Sequence, residues 1–319
     1  MIKVSVIIPV YKVEQYIERC ARSLFGQSLN EMEFIFVDDC SPDNSMQIVE
    51  QVLSQYPHRR LQTRFVKHDL NRGLTCARNT GLAVAKGQYI AHCDSDDWVS
   101  PNMYKTLLMK AEESAADVAY CDFIAVYKDK SIEYHCAKLL NDKGDYLRYY
   151  MTHGWTSVWN LIAKRNLYSE HGLVSPENFT YCEDFYLSVK LMFHAKKIVK
   201  LDEPLYYYNR LNTSSLLNTT TDKSISDEIL CYTGLIDFFN ERGCIDDYIK
   251  ELSWKILKCK QDWVLNSQKH NDFSAAGSLA HNYIWSCPFL NLKMKIMMWM
   301  LCHNMRGIVV CLIKLRQLF

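Results

Sequence analysis

The sequence is poor in glycine and proline and lacks the motifs of several common protein classes. Its 319 residues include 11 glycines and 7 prolines, and 49% are hydrophobic. This composition excludes collagen-like and disordered chains. None of the 13 cysteines belongs to a CxxC pair, which argues against a zinc ribbon. No GxGxxG motif follows an early strand, so a dinucleotide-dependent oxidoreductase is also excluded.

The chain has almost no net charge, and its charge is unevenly distributed. Lysine and arginine number 37 against 36 acidic residues, which gives a formal net charge of +1. A charge this small does not suggest binding to nucleic acid. Residues 273–319 contain basic residues but no acidic one, and their apolar runs are far shorter than the ~20 residues that span a bilayer. We expect a basic, amphipathic helical tail that lies on an anionic membrane surface or packs on the protein itself.

The cysteines and the N-terminus indicate a protein of the reducing cytosol. An odd number of cysteines gives no disulfide framework. The apolar run Val6–Val10 is short, contains Pro9 and is followed by no cleavage site, so it predicts a buried strand rather than a signal peptide. We expect a cytoplasmic protein that associates peripherally with the inner face of the cell membrane through its tail.

Strand-like and helix-like segments alternate through the first third of the chain. Strands are predicted at 3–9, 33–37, 64–67 and 88–93, and helices at 13–25, 45–55, 74–85 and 101–115. This order predicts an α/β fold with a Rossmann-like, mostly parallel sheet and helices on both faces. Ligands of such sheets lie beyond the carboxyl ends of the strands. After about residue 222 the chain is predicted to be mainly helical.

Three carboxylates, Asp94, Asp96 and Asp97, follow the fourth predicted strand. Their mutual repulsion is costly unless a cation is bound. Mg²⁺ and Mn²⁺ take one or two carboxylates together with water and substrate phosphate, so Asp94 and Asp96 are predicted metal ligands at a diphosphate site. A second role is compatible with this one, because Asp97 or Ser100 could cap the helix that starts near residue 101.

Two more segments could contribute to a nucleotide site. Asp39 ends the second strand, where a carboxylate can accept a hydrogen bond from a base or a ribose. The turn-forming residues 40–45 offer a purely structural alternative. Arg78 stands beside the small residues Ala77 and Gly81 on the third helix. It could therefore approach a phosphate closely, or simply be solvated.

The second part of the catalytic region contains an acidic pair and many aromatic residues. Glu183-Asp184 opens a predicted helix, where the helix dipole alone would also favour acids. Several aromatic residues could offer ring faces to a sugar, although core packing is the alternative and is favoured for two of the three tyrosines: Trp155, Trp159 and Tyr206–Tyr208. His153 is a candidate acceptor contact, with a partly buried structural histidine as the alternative.

These ordered motifs together resemble the family 2 glycosyltransferases, which have the GT-A fold and use nucleoside-diphosphate sugars. The segments that carry the resemblance are Val4–Tyr11, Glu33–Asn44, Asn71–Gly81, Asp94–Asp97, Trp159-Asn160, Glu183–Phe185 and Glu203–Tyr208. The last three are similar to bacterial enzymes that build capsular or cell-surface polysaccharides. The resemblance implies a GT-A catalytic domain at 1–218, with a nucleotide-sugar-binding half (1–115) and an acceptor half (116–218). A C-terminal helical region would occupy 219–319.

The resemblance also implies roles for individual residues of this chain. Pro9 and Tyr11 would line the base pocket, and Asp39 would hold the base. Arg78 would lie near the phosphates, and Asp94-Ser95-Asp96 would form the family's DxD signature. Asp184 aligns with the general base, and the acceptor side would include Glu183, Trp155 and His153. The chain departs from the family pattern at Lys12 and at Asn209, where asparagine and arginine are common, and Arg210 could replace the missing arginine.

The implied activity is an inverting sugar transfer that depends on Mn²⁺ or Mg²⁺. A UDP-sugar would be the donor and a saccharide hydroxyl the acceptor, with a polyprenyl diphosphate as the expected carrier, in surface polysaccharide biosynthesis. A homodimer is compatible with the sequence. Two alternatives remain. A nucleotidyltransferase of related fold would need a glycine-rich basic loop after the first strand, and residues 9–13 lack it. A catalytically silent sugar-binding protein is disfavoured by the intact acidic residues.

Overall fold

The chain forms two compact units, Met1–Asn218 and Thr219–Phe319. They are seen in a computed structural model that describes residues 1–177, 179, 181–212 and 221–316. The described part of the first unit contains a nine-stranded sheet with seven α-helices, and the described part of the second unit is helical.

The sheet of the first unit is mixed. Its strands are β1 Val4–Val10, β2 Met32–Asp38, β3 Thr63–Lys67, β4 Tyr89–His92, β5 Trp98–Val99, β6 Val118–Val126, β7 Ser131–Tyr134, β8 Leu161–Lys164 and β9 Ile198–Asn209. They lie in the order β3-β2-β1-β4-β8-β6-β9-β5, with β7 paired to β6. The first four strands are parallel, as predicted. Strand β6 is parallel to β9, whereas the β4–β8, β5–β9, β6–β7 and β6–β8 pairs are antiparallel.

The helices of the first unit begin and end close to the predicted positions where a prediction existed. They are α1 Ile17–Phe25, α2 Ser45–Ser54, α3 Leu74–Val84, α4 Met103–Glu113, α5 Lys143–His153, α6 Arg165–His171 and α7 Glu183–His194. Helix α1 starts four residues later than predicted. The residues before it form a loop instead of a first helical turn, because Lys12 has a positive φ of 54° and the Val13 amide donates to Ser45 Oγ.

Helix α3 lies very close to strand β1. A Cβ atom at Gly81 would be 2.4 Å from Cγ2 of Ile7, so only glycine allows this approach. The helix begins after Gly73, which has a φ of 89°. The close packing fixes the depth at which Arg78, one turn into α3, enters the first unit.

The described part of the second unit contains six α-helices: α8 Asp222–Asn240, α9 Ile249–Cys259, α10 Gln261–Leu265, α11 His270–Ala275, α12 Leu292–Cys302 and α13 Arg306–Arg316. Thr221 and Ser224 form a capping box at the start of α8. Among the described residues, no helix combines the length and the apolar character required to cross a membrane. On α13, Ile308 and Leu312 lie one turn apart and are 50% and 40% exposed.

Candidate active site

The carboxyl ends of the parallel strands gather the segments that the sequence marks as functional. The Asp39 amide donates to Val10 O on one side of β1, and the Cys93 amide donates to Ile7 O on the other, each at 3.0 Å. Asp39 and Asp94 therefore follow strands that flank β1. This is the edge at which ligands of open α/β sheets bind.

Arg78 is the centre of the candidate site. Its side chain is only 2% exposed. Nη2 donates to Asp94 Oδ1 at 2.8 Å, and Nη1 donates to Glu183 Oε1 at 3.0 Å and to Asp184 Oδ1 at 2.5 Å. One buried guanidinium thus joins the segment after β4 to the first turn of α7, whose Asp184 is 106 residues from Arg78 along the chain.

The charges around Arg78 do not balance, because three carboxylates share one guanidinium. Burial lowers the pKa of Arg78, but Asp184, Asp94 and Glu183 outweigh it and the net shift is upward. Burial raises the pKa of Asp184 to about 7, with Glu183 and Asp94 raising it and Arg78 opposing the shift. A carboxylate with a pKa near neutrality is suited to general acid–base chemistry.

Local backbone geometry places the acidic pair on α7. Cys182 has a left-handed conformation, with a φ of 69°, directly before the helix. Glu183 and Asp184 consequently occupy the first helical turn, where the helix dipole stabilises negative charge. The observed helix begins with the acidic pair that opens the predicted helix.

Asp96 and Asp97 differ in their surroundings. Asp97 is buried, and its carboxylate accepts from the Tyr206 hydroxyl and from the Asn209 amide, each at 2.7 Å. Asp96 is half-buried and accepts from Asn212 Nδ2 at 2.8 Å. Burial, with the charge of Asp94, raises the pKa of Asp96 to about 6. Burial, with the charges of Asp96 and Asp94, also raises the pKa of Asp97. The ionised carboxylates of this segment therefore repel one another.

Tyr206→Phe tests how firmly β9 holds this segment. The Tyr206 hydroxyl donates to Asp97 and accepts from the Asp94 amide. We expect its removal to lower the free energy of unfolding of the first unit by about 1–3 kcal/mol, because buried polar groups lose their partner. Tyr168→Phe is the control, since the Tyr168 hydroxyl is buried and has no hydrogen-bond partner among the described residues. Equal urea midpoints for the two variants would contradict this role.

Asp39 is already bonded inside the protein. Its carboxylate accepts from the Arg72 and Gly73 amides at 2.8 Å each, and it lies 2.7 Å from Nδ1 of the buried His68. Nε2 of His68 is 2.9 Å from Thr80 Oγ1. Asp39 therefore fixes the loop before α3 and keeps part of its acceptor capacity for a ligand.

The other predicted site residues lie in different environments. Pro9 and Ser95 are buried, and Tyr11 is 39% exposed at the end of β1. Trp155 is 38% exposed and packs on Phe123, with ring centroids 4.8 Å apart. His153 is exposed and stacks on Tyr149, so it is not the partly buried histidine considered as an alternative.

Several residues of the site carry no recognisable sequence signal. His68 and Asn212 bond to Asp39 and Asp96, yet no local pattern marks them. Asn209, which the sequence marks only as a departure from the family pattern, bonds to Asp97. Arg78 was expected near phosphates, whereas in the structure its guanidinium bonds carboxylates. Glu183 was assigned to the acceptor side. Its position next to Asp184 was the one sequence signal that both acids could bond the same arginine.

The mixed sheet, with acids after its parallel strands, has the architecture of the GT-A fold of glycosyltransferases. The profile described as "Glycosyl transferase family 2" matches residues 5–186. The chain therefore belongs to glycosyltransferase family 2, as its motifs predicted. It is 32% identical over 248 residues to the uncharacterized glycosyltransferase EpsJ of Bacillus subtilis (strain 168), a match that covers 75% of this chain and 70% of EpsJ.

Solved structures show the same fold. The S. aureus TarS 1–349 complex with UDP-GlcNAc superposes with a TM-score of 0.71 at 21% identity, over 96% of this chain and 89% of that one. A mannosyltransferase, PcManGT from Pyrobaculum calidifontis, bound to GDP-Man and Mn²⁺, gives a TM-score of 0.52 at 15% identity, over 96% and 86% of the two chains. At these identities the similarity establishes the fold alone.

Proposed function

We propose that the chain is an inverting glycosyltransferase that moves a sugar from a UDP-sugar to a hydroxyl of a saccharide acceptor. The observation that carries the proposal is the convergence of Asp94, Glu183 and Asp184 on the buried Arg78. It brings a candidate metal ligand and a candidate base into one site. The UDP-GlcNAc bound to TarS supports a UDP-sugar donor and a hexosyl or N-acetylhexosaminyl group.

Asp94 and Asp96 suit a hard divalent cation. Among the described residues no three metal-binding side chains are already clustered. Asp94 uses Oδ1 for Arg78 and Asp96 uses Oδ2 for Asn212, which leaves a second oxygen on each carboxylate. Two carboxylates completed by water and phosphate are typical of Mg²⁺ and Mn²⁺. The Mn²⁺ in PcManGT supports this assignment. Such an ion would neutralise the charge that develops on the departing diphosphate.

Asp184 is proposed as the general base. It would take the proton of the acceptor hydroxyl while the acceptor oxygen bonds to the anomeric carbon and the bond from that carbon to the diphosphate oxygen breaks. UDP leaves with the electron pair of the broken bond. Attack on the face opposite the leaving group inverts the anomeric centre. Arg78 positions Asp184, and burial raises the pKa of that carboxyl to about 7, so that it can accept a proton near neutral pH.

The donor is proposed to lie across the ends of β1, β2 and β4. Pro9 and Tyr11 would contact the base, and Asp39 would accept a hydrogen bond from it. Ser95 would line the diphosphate site between the two metal ligands. Arg78 would affect the phosphates indirectly. Its hydrogen bonds go to carboxylates, and it would position the metal ligand Asp94.

Nucleotide release with and without metal tests the proposal. We expect UDP release from at least one UDP-sugar in the presence of acceptor and Mn²⁺ or Mg²⁺, and loss of that release with EDTA. Asp96→Ala should weaken metal-dependent donor binding in calorimetry. Glu113→Ala, an exposed acid at the end of α4, is the control. Pyrophosphate release from a nucleoside triphosphate would instead indicate a nucleotidyltransferase, and the absence of both products would indicate a silent binding protein.

We also propose a place at the inner face of the cell membrane, in surface polysaccharide assembly on a polyprenyl-diphosphate-linked acceptor. The support is the basic segment 273–319 with its exposed Ile308 and Leu312. Such a helix can lie on anionic lipid. A homodimer is compatible with this placement.

Vesicle flotation tests the membrane assignment. We expect the chain to float with phosphatidylglycerol vesicles and less with phosphatidylcholine vesicles. Replacing Lys293, Lys295 and Lys314 together by glutamate should abolish flotation, because the anionic surface would then repel α12 and α13. The same change at the exposed Lys105, Lys128 and Lys130 of the first unit is the control. Equal flotation of both triple variants would contradict the assignment.

A further inference from the structure

An aromatic cluster occupies the side of the sheet formed by β6, β7 and β9. Phe123 is fully buried at its centre. The Tyr134 ring stacks on Phe123, with centroids 5.0 Å apart and planes 3° from parallel. Trp155 and Trp159 contact the same ring at 4.8 and 5.0 Å, and Trp155 lies 5.5 Å from Tyr134. Aromatic contacts of this kind each contribute about 0.5–1.5 kcal/mol beyond the area that they bury.

The cluster has a buried layer and an outer layer. Trp159 is 4% exposed and Tyr208 is 9% exposed, whereas Trp155 is 38% exposed and Tyr134 is half-buried. Core packing explains the inner rings. It leaves the outer face of Trp155 open, as a flat apolar surface on an ordered aromatic base on which a sugar ring can stack.

The aromatic cluster adjoins the candidate active site. Trp159 stacks on Tyr206 at 4.3 Å, and the Tyr206 hydroxyl bonds to Asp97. On the same strand, the Asn209 amide also bonds to Asp97, and the neighbouring Tyr208 contacts Trp155 at 6.2 Å. The outer ring of Trp155 is therefore linked to the acidic segment 94–97 through β9, which contacts both.

Arg210 lies at the edge of the cluster without a carboxylate partner among the described residues. Its Nη1 donates to the Tyr208 hydroxyl at 3.1 Å, and its guanidinium lies 5.4 Å from the centre of that ring. The Tyr127 and Tyr134 side chains also lie near it. A half-buried arginine bonded to neutral groups keeps donors for an anion.

We propose that Trp155, Tyr134 and Arg210 form an acceptor subsite for an anionic saccharide. A sugar ring would stack on the outer aromatic faces, and its carboxylate or phosphate would bond to Arg210. This rests on the proposed transferase function, but its binding test requires no turnover. The surface is selective because a neutral sugar satisfies the rings and leaves the guanidinium unpaired.

Saturation-transfer NMR titrations with two tetrasaccharides of equal length test the proposal. The probes are a hyaluronan tetrasaccharide, which carries carboxylates, and chitotetraose, which carries none. We expect the wild-type protein, saturated with UDP and Mn²⁺, to bind the anionic probe at least threefold more tightly. Trp155→Ala should weaken the binding of both tetrasaccharides tenfold or more, and Trp155→Phe should restore part of the affinity. Arg210→Gln should remove only the preference for the anionic tetrasaccharide. Trp285→Ala, which changes an exposed tryptophan of the second unit, is the control.

The outcomes separate the acceptor from the donor. UDP affinity is measured by calorimetry on the same variants. If Arg210→Gln weakens UDP binding and leaves the preference for the anionic tetrasaccharide intact, Arg210 contacts the donor phosphates. The claim that Arg210 binds the acidic group of the acceptor is then overturned. Wild-type affinities in Trp155→Ala, or no binding of either probe to the wild-type protein, would overturn the subsite. Failure of UDP itself to bind would instead count against the proposed transferase function.

Discussion

Asp184→Asn should lower turnover by roughly a hundredfold or more, because an amide cannot accept the acceptor's proton. The amide oxygen can still accept from Arg78, so the site should keep its geometry and UDP-sugar affinity should change little. Steady-state kinetics and calorimetry on one preparation measure both quantities. Asp145→Asn is a matched control, since Asp145 also stands in the first turn of a helix and bonds an arginine. Ordinary turnover in Asp184→Asn would refute the base assignment.

The stability of this variant separates catalysis from helix capping. The folded pKa of Asp184, about 7, lies above the value of an unfolded aspartate, ~3.9. The native state therefore binds more protons than the unfolded state between these values, and the ionised group costs stability as pH rises through them. Asp184→Asn should thus leave the unfolding free energy at pH 8 unchanged or higher. If Asp184 only stabilised the helix N-terminus, its loss would lower that free energy.

The donor half could be predicted from the sequence because its signals are local. Buried β-branched runs followed by polar residues predict strands whose ends form a site, and β1 to β4 and α2 to α4 lie within a few residues of prediction. The family motifs place Asp94, Asp96 and Asp184 in order along the chain. The short strands β5, β7 and β8, of two to four residues, have no periodicity to detect and depend on their partners in the sheet.

The partners of the acids could not be predicted, because they are separated from the acids by long stretches of chain. Arg78 and Asp184 are 106 residues apart, and Tyr206 and Asp97 are 109 apart. An isolated arginine on a helix is more often exposed to solvent than bonded to three carboxylates. Its burial depends on the close packing of Gly81 on Ile7, which only the fold reveals. The arginine that the sequence predicts near the phosphates is therefore also the residue that bonds three acids in the structure.

Arg78→Met should be the most damaging single change in the first unit, because three acids share the Arg78 guanidinium. Removing one side of a buried ion pair costs about 3–5 kcal/mol, because the remaining charge has no partner. We expect the free energy of unfolding to fall by that order and turnover to be lost. Arg72→Met is the control, since Arg72 is 44% exposed and its pair with Glu177 is 3.6 Å long. That change should cost at most about 1 kcal/mol.

A triple variant distinguishes electrostatics from packing in this loss. If unpaired charge causes the instability of Arg78→Met, then adding Glu183→Gln and Asp184→Asn should restore part of the stability, because the buried negative charge falls by two. Groups in one network couple by about 0.5–3 kcal/mol, so the recovery should be measurable in denaturant unfolding. Instability that is unchanged in the triple variant would mean that Arg78 acts through its packed stem rather than its charge. Activity should not return in either case, because the recovered fold lacks the base.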